Sequence, residues 1–178
     1  MDKAYKMMIE ALINDKTTKP KQKTEALKEL LLSKKITTGE LIAFADKAKD
    51  PAKATCIEAL EFATKQEPAI INKDAFRFVV QTLTAKTSRV KWESARVIGN
   101  TANLFKNDLN DAINNLLINS EHTGTVVRWS AAFALGEILK LNTKHNKELL
   151  PALETIIDRE EKNSIRKIYI DAIKKSYK

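Results

Sequence analysis

One segment of this 178-residue chain occurs twice, and the spacing of the two copies constrains the fold more than any other feature. Residues 90–99 read VKWESARVIG, and residues 127–136, which lie 37 positions later, read VRWSAAFALG. Apolar, basic, aromatic, small and glycine positions recur in step in the two copies. Similarity at a period of a few tens of residues is typical of stacked repeats, in which each unit buries one face on its neighbour.

The rest of the sequence has the pattern of successive helices joined by short links. Only four Gly and four Pro occur in the chain, whereas folds made of β-strands need turn residues at intervals of about 8–12 positions. Apolar residues instead recur three and four positions apart, which is the spacing of one helix face. The predicted helices alternate between longer and shorter ones.

Start signals place several of these helices. We expect a capping box at 37–40 and a side-chain cap from Asn72. Asp50 is expected to cap the helix that Pro51 opens, and Pro151 is expected in the first turn or so of its helix, where proline is tolerated. The first helix and the two copies are predicted to span about 2–14, 88–105 and 125–141.

The predicted fold is therefore all-α: a right-handed α-α superhelix, or solenoid, of about four to five stacked antiparallel helix pairs. We interpret the chain as a single repeat domain over 1–178. It has divergent N-terminal helices in 1–49, the best-matching repeats in 50–160 and a C-terminal capping helix in 161–178. Weak matches at both ends are expected because terminal repeats expose one outer face to water.

Charge and composition limit the classes of partner. The formal net charge is +8, which is compatible with nucleic acid, anionic lipid or acidic protein partners. The excess is spread thinly, since residues 1–50 and 51–100 each carry +3, residues 101–150 carry zero and residues 151–178 carry +2. There is no apolar run of about 18 residues, so we expect no membrane span.

The residue types that carry most chemistry are scarce. Cys56 is the only cysteine, and its apolar neighbours favour a small buried residue over a nucleophile. His122 and His145 lie in predicted links without metal-ligand spacing. We expect neither a metal nor a cofactor, and the absence of a disulfide framework favours a cytoplasmic location.

The second copy and its continuation resemble a HEAT repeat. Residues 127–138 match the family pattern V-R-x-x-A-A-x-A-L-G, and Leu149-Leu150-Pro151-Ala152-Leu153 matches the start of the family's second helix. The resemblance is good over 88–160 and extends to 50–84. It implies an α-solenoid that serves as a curved platform for proteins and sometimes for nucleic acids.

The resemblance also gives the repeated positions structural roles. Lys91 and Arg128 occupy the family's basic position, which links neighbouring units by hydrogen bonds. Gly99 and Gly136 are expected to let adjacent helices approach closely, and this offsets a cost of about 1 kcal/mol for glycine within a helix.

The two tryptophans occupy one repeat position and have two interpretations. Trp92 and Trp129 either fill the same gap between helices or form a stacking pair for a base or an aromatic ligand. We favour the first interpretation, with Glu93 and Ser130 beside them as the exposed polar residues.

The candidate binding surface follows from the resemblance, because the second helices of HEAT arrays line the concave side. The candidate residues there are Lys73, Arg77, Gln81, Asn114 and Asn115. With Asn110, Glu148, Thr155 and Asp158 they form a surface that runs from basic to acidic, which suits a protein segment better than a uniform phosphate backbone. An ordinary solvated helix face is the alternative interpretation.

The predicted function is a non-catalytic scaffold or adaptor for a protein partner. The alternative is a DNA- or RNA-binding module related in architecture to the alkylpurine DNA glycosylases, with contacts from Lys73, Arg77, Arg89, Lys91 and Arg96. An enzyme of that family or of the HEAT-like bilin lyases stays open. The nearest similarity to the glycosylase site is Asp74 beside Arg77 and Phe78.

Overall fold

The computed structural model describes residues 3–177, and the side chains from Ala4 onward. Asp2, where the predicted first helix begins, and Lys178, where the predicted domain ends, lie outside the described residues. The described part contains ten α-helices and two short 3₁₀ turns, at 68–70 and 102–104. The helices are α1 (Lys3–Asn14), α2 (Pro20–Leu32), α3 (Thr38–Lys47), α4 (Asp50–Gln66), α5 (Lys73–Thr82), α6 (Ser88–Thr101), α7 (Asn110–Asn119), α8 (Thr125–Leu139), α9 (Asn146–Arg159) and α10 (Asn163–Ser176).

The helices form two layers. Helices α2, α4, α6, α8 and α10 pack side by side as one layer, which we call the even layer. Helices α1, α3, α5, α7 and α9 form the odd layer, and α3, α5, α7 and α9 pack on the even-layer helix that follows them in the chain. The core between the layers is apolar from end to end, with Leu27, Leu60, Ile98, Leu135 and Tyr169 all fully buried. The predicted all-α, right-handed solenoid is confirmed.

Two of the predicted helix starts are confirmed. The Thr37 hydroxyl accepts a hydrogen bond from the Glu40 backbone N–H at 3.1 Å, and the Glu40 carboxylate accepts from the Thr37 N–H at 2.8 Å. The side chain of Asn72 accepts from the N–H of Ala75 at 2.8 Å. Each bond satisfies a first-turn N–H that has no partner within the helix.

Other predicted helix ends differ from the structure. Lys49, not Asp50, is the N-cap of α4, because the Lys49 carbonyl accepts the first helical bond from Lys53. Pro151 is the sixth residue of α9 and lies beyond its first turn, since the helix already begins at Asn146. Both copies also end earlier than predicted, at Thr101 and Leu139, the first of them in a 3₁₀ turn.

The repeat register is correct. Val90 and Val127 are both buried, and Trp92 and Trp129 lie at equivalent positions on the adjacent helices α6 and α8. Gly99 and Gly136 lie where neighbouring even-layer helices approach each other closely. A Cβ atom on Gly99 would lie 2.8 Å from Cδ1 of Phe133 on α8, and one on Gly136 would lie 3.1 Å from Cβ of Ala172 on α10.

The contact at Gly99 gives a testable prediction about packing. Gly99→Ala should lower the free energy of unfolding by about 1–2 kcal/mol, because the new methyl group must displace the ring of Phe133. In a Phe133→Ala background the same change should stabilise by up to about 1 kcal/mol, because only the better helix propensity of alanine remains. Urea unfolding of the four proteins measures both values, and an equal cost in both backgrounds would contradict the proposed contact.

Candidate protein-binding surface

The first part of the candidate surface is the exposed face of α5. Lys73, Arg77 and Gln81 all lie there and are exposed, as predicted from their spacing. The Lys73 Nζ lies 2.9 Å from an Asp108 carboxylate oxygen, and an Arg77 guanidinium nitrogen lies 3.6 Å from the carboxylate of Asp74. The predicted basic end of the surface is therefore locally neutralised.

The second part is α7, where the two predicted asparagines differ. Asn114 is exposed on the same face as Asn110. Asn115 is half-buried, and its amide donates a hydrogen bond to the carbonyl of Val80 at 3.2 Å, which ties α7 to α5. The assignment of Asn115 to a free binding surface is thus wrong, because one position along a helix rotates a side chain by about 100°.

The third part is α9, which carries exposed charges of both signs. Glu148, Glu154 and Asp158 are exposed on this helix, and so are Lys147 and Arg159. Thr155 is also exposed, and its hydroxyl donates to the carbonyl of Pro151 at 3.0 Å. The charge along the odd layer thus changes from compensated on α5, through the amides and the single acid Asp111 of α7, to a small acidic excess on α9.

Two clefts separate these three helices. The cleft between α5 and α7 has a volume of about 460 Å³, and Phe76 and Val80 lie among its lining residues. The smaller cleft between α7 and α9, of about 90 Å³, is lined by Ile113, Leu117 and Leu149. Polar rims surround both clefts, formed by Lys73, Arg77, Gln81, Asn107, Asp108, Asn110 and Asp111 in the first and by Asn110, Asn114, His145 and Glu148 in the second. Each cleft therefore combines an apolar floor with hydrogen-bonding groups.

The cluster that resembled a glycosylase site is not brought together. Asp74 is exposed and faces Arg77, whereas Phe78 is buried in the core. The aromatic pair near the α5–α7 cleft is instead Phe76 and Phe105, with ring centroids 4.2 Å apart. Phe76 is only 1% exposed, so its ring is almost entirely covered by the protein itself.

The cations of the nucleic-acid alternative are all engaged by the protein itself. Beyond the pairs of Lys73 and Arg77, Arg89 lies 2.8 Å from Glu58, and Arg96 lies 3.2 Å from Glu61. Lys91 donates to the carbonyl of Leu83 and to the side-chain oxygen of Asn119, both at 3.1 Å. Arg89, Arg96 and Lys91 therefore link helices within the solenoid, whereas Lys73 pairs with the link before α7 and Arg77 pairs within α5.

The basic repeat position makes the links between units that the resemblance implies. Lys91 joins the end of α5 to the end of α7. Arg128 donates to the carbonyls of His122 and Thr123 at 3.0 and 3.1 Å and to both oxygens of Glu160 at 2.9 and 3.3 Å. The side chain of Glu160 is 4% exposed and that of Arg128 is 17% exposed, so this ion pair is largely, though not fully, shielded from solvent.

The environment of the tryptophans differs from the prediction. Glu93 and Ser130 are 3% and 1% exposed, because these positions face the neighbouring even-layer helix. Trp92 is half-buried and donates to Glu93 at 2.8 Å, whereas Trp129 is 40% exposed and stacks on Phe133 at a centroid distance of 6.1 Å. The assignment of exposed polarity to Glu93 and Ser130 is therefore wrong.

Two buried carboxylates were missed by the sequence analysis. Burial raises the pKa of Glu93 to about 7, although the hydrogen bond from Trp92 opposes the shift. Burial also raises the pKa of Glu61, while Arg96 opposes that shift. One oxygen of each carboxylate has no hydrogen-bond partner. One signal in the sequence could have indicated the burial of Glu93. Its equivalent in the second copy is Ser130, a small residue followed by two alanines, which is typical of a closely packed helix face.

The remaining candidate groups have structural surroundings. Cys56 is buried, and burial raises its pKa to about 12, so the thiol is not a nucleophile at neutral pH. His122 Nδ1 accepts from the Gly124 N–H at 2.8 Å. Within residues 3–177, no group of three or more His, Cys, Asp or Glu side chains could hold a metal ion. No helix in the same range is long and apolar enough to cross a membrane.

Known proteins resemble this chain in structure. No family model matches the sequence, and no curated protein matches it. A designed armadillo-repeat protein in complex with the peptide (KR)4 is 16% identical with a TM-score of 0.70, over 97% of this chain and 82% of that chain. A computationally designed armadillo-repeat protein for modular peptide recognition is 18% identical with a TM-score of 0.69, over 98% and 76%.

A natural protein gives a similar match. A chain from the complex of CpcE and CpcF of phycocyanin lyase from Nostoc sp. is 18% identical with a TM-score of 0.68, over 96% of this chain and 98% of that chain. Identities this low show the fold alone. The chain has a HEAT- and armadillo-type repeat fold.

Proposed function

We propose that this protein is a non-catalytic scaffold or adaptor that binds an extended segment of a protein partner across α5, α7 and α9. The observation that carries the proposal is the pair of clefts between these helices, each with an apolar floor and a polar rim. Such clefts accept an apolar side chain while the rim bonds the backbone beside it. The cytoplasmic location predicted from the single cysteine remains part of the proposal.

The spacing of the clefts suits an extended chain. Packed neighbouring helices lie about 8–10 Å apart. Helices α5 and α7 contact each other, whereas α7 and α9 do so at most marginally, so the second spacing is at least this large. A polyproline-II segment advances about 3.1 Å per residue with three residues per turn, so equivalent side chains recur about every 9 Å. Every third residue of such a segment would therefore enter successive clefts, while Asn110 and Asn114 offer amide groups to its backbone.

Charge gives the segment a direction. The cations of α5 are paired with Asp108 and Asp74, whereas α9 exposes three acids and two cations, one of which, Arg159, is paired with Glu121. Basic residues of the partner are therefore expected over α9. The designed armadillo-repeat protein of similar fold, whose peptide ligand (KR)4 is basic, supports a ligand of this kind.

A selection from a library of linear peptides of about 8 residues tests the proposal. We expect enrichment of peptides with apolar residues three positions apart and basic residues toward one end. Asn114→Arg should then lower the affinity for the selected peptide by about 10-fold or more, measured by fluorescence polarisation, because a bulky cation there blocks the cleft between α7 and α9, which Asn114 lines.

Asn103→Arg is the matched control. Asn103 is exposed in the 3₁₀ turn after α6, outside the odd-layer helices, and receives the same chemical change. Its peptide affinity should stay within about twofold of the unchanged protein. Equal losses in the two variants, or the absence of any enriched peptide, would contradict binding at this surface.

A further inference from the structure

A second surface lies at the edge of the solenoid where the even-layer helices begin. Because α2, α4 and α6 pack side by side and each follows an odd-layer helix, their first turns share this edge. Five lysines stand in or beside these first turns. We call them the lysine edge: Lys19 and Lys21 at α2, Lys49 and Lys53 at α4, and Lys86 just before α6.

The lysine edge differs from the other cations of the chain because its charges are free. None of its five ammonium groups makes an ion pair or hydrogen bond with any residue in 3–177. Four of the side chains are exposed, and that of Lys53 is half-buried. One acidic residue, Asp50, lies between the lysines of α4. Asp15 is nearby, but its carboxylate already accepts hydrogen bonds from Thr17 and Thr18. The edge therefore carries a net positive charge.

The backbone supplies further hydrogen-bond donors at this edge. The N-termini of α2, α4 and α6 lie there beside the C-termini of α1, α3 and α5, so the opposite partial charges of the helix ends largely cancel. Neither Lys49 nor Thr87, the N-cap residues of α4 and α6, caps its helix with a side-chain hydrogen bond. Free first-turn N–H groups and ammonium groups are both donors to phosphate oxygens.

The row ends after α6. Helix α8 begins after Gly124, and the charged residue of the preceding link is Glu121, which pairs with Arg159 at 2.7 Å. The edge thus extends over three helices, or about 20 Å at a helix spacing of 8–10 Å. That length corresponds to about six nucleotides of one strand at 3.4 Å each.

We propose that the lysine edge binds the phosphate backbone of a nucleic acid without reading its sequence. Lysines are compact point charges, and Arg89 in the first turn of α6 is engaged by Glu58 at 2.8 Å, so the free charges of the edge suit a line of phosphates. An anionic membrane fits less well, because membrane-surface binding also needs large apolar side chains at the contact. None of the exposed large hydrophobic residues of the described chain lies in the lysine edge. This surface is distinct from the peptide surface on α5, α7 and α9.

Fluorescence anisotropy with labelled DNA of about 20 nucleotides, single-stranded in one arm and duplex in the other, tests the proposal. We expect micromolar binding at about 50 mM salt, with a logarithmic salt slope near −3.5 for five contacts to a single strand. The variant Lys21→Gln, Lys49→Gln, Lys86→Gln removes one lysine from each helix. The affinity of this variant for DNA should fall by about 10-fold or more, and the magnitude of its salt slope should decrease by about 2.

The matched control removes three lysines at the opposite edge. Lys35→Gln, Lys106→Gln, Lys144→Gln changes the net charge equally, and these side chains are also exposed and make no ion pair among the described residues. DNA affinity in the control should stay within about twofold to threefold. Equal losses in the two triple variants, or no DNA binding at about 50 mM salt, would overturn the proposal. Binding to phosphatidylserine vesicles without binding to either DNA would instead assign the edge to lipid.

Discussion

Glu93→Gln is expected to make the protein more stable at pH 8, by about 2–3 kcal/mol. The wild-type carboxylate lies between α4 and α6 with 3% of its surface exposed, and burial raises its pKa from 4.5 to about 7. At pH 8 the native state must therefore hold a buried negative charge. Glutamine removes that charge and keeps an oxygen that can accept the hydrogen bond from Trp92.

The same shift fixes the sign of the pH dependence. Between about pH 4.5 and 7 the native state binds the Glu93 proton more tightly than the unfolded chain does. Stability from this group is therefore fully present below about pH 4.5 and is lost as the pH rises through about 7. The raised pKa of Glu61 acts in the same direction. Wild-type and Glu93→Gln stabilities should converge near pH 4.5, diverge between pH 4.5 and 7, and differ by a constant amount above about pH 7.

Urea unfolding at a series of pH values measures this difference. Glu154→Gln is the matched control, because Glu154 is exposed on α9 and the chemical change is identical. Its stability should stay within about 0.5 kcal/mol of wild type at every pH. A Glu93→Gln variant that is destabilised at pH 8, or whose difference from wild type is equal at pH 4.5 and pH 8, would contradict this account of the buried carboxylate. Arg96 is not left unpaired in the variant, since it keeps Glu61 at 3.2 Å.

The fold could be predicted from the sequence because the same pattern of apolar and small residues occurs in both copies of the repeat. The apolar positions led by Val90 and Val127 have one periodicity, and the glycines recur where helices approach closely. Caps such as Asn72 depend on neighbours within a single turn, so they are visible in a short window of sequence. Pro151 shows the limit of such a window, since the link before it determines where α9 begins.

The candidate surface was only partly predictable. Spacing along one helix gave the exposed positions Lys73, Arg77 and Asn114 correctly. Spacing could not show that Asp108, in the link before α7, neutralises Lys73, or that Asn115 donates a hydrogen bond to Val80. Such pairings depend on contacts between helices that lie more than thirty residues apart in the chain. The burial of Glu93 was missed for the same reason.

Arg128→Met is expected to cost about 3–5 kcal/mol, the largest loss among the substitutions considered. Arg128 contacts both oxygens of Glu160, and the side chain of Glu160 is only 4% exposed. Without the guanidinium, the Glu160 carboxylate keeps a hydrogen bond from the Lys162 N–H but loses its opposite charge. The carbonyls of His122 and Thr123 also lose their donor. Thermal and urea unfolding should both show the loss, and adding Glu160→Gln should recover a large part of it.

Arg159→Met provides the comparison that separates burial from charge. Arg159 and Glu121 form an ion pair at 2.7 Å, close to the 2.9 Å of Arg128 and Glu160, but both side chains are largely exposed. An exposed pair contributes about 0–1 kcal/mol, so this variant should be nearly as stable as wild type.

The loss of stability at acidic pH gives a second test. Burial acts to raise the pKa of Glu160, but the hydrogen bonds from Arg128 and the Lys162 N–H outweigh it and lower that pKa. Stability from Glu160 is thus present above its unfolded value of 4.5 and is lost as the pH falls through the lowered one. Arg128→Met should no longer show this loss of stability at acidic pH, while Arg159→Met should still show it. Equal costs of the two substitutions in the free energy of unfolding would show that the Arg128–Glu160 pair does not owe its strength to burial.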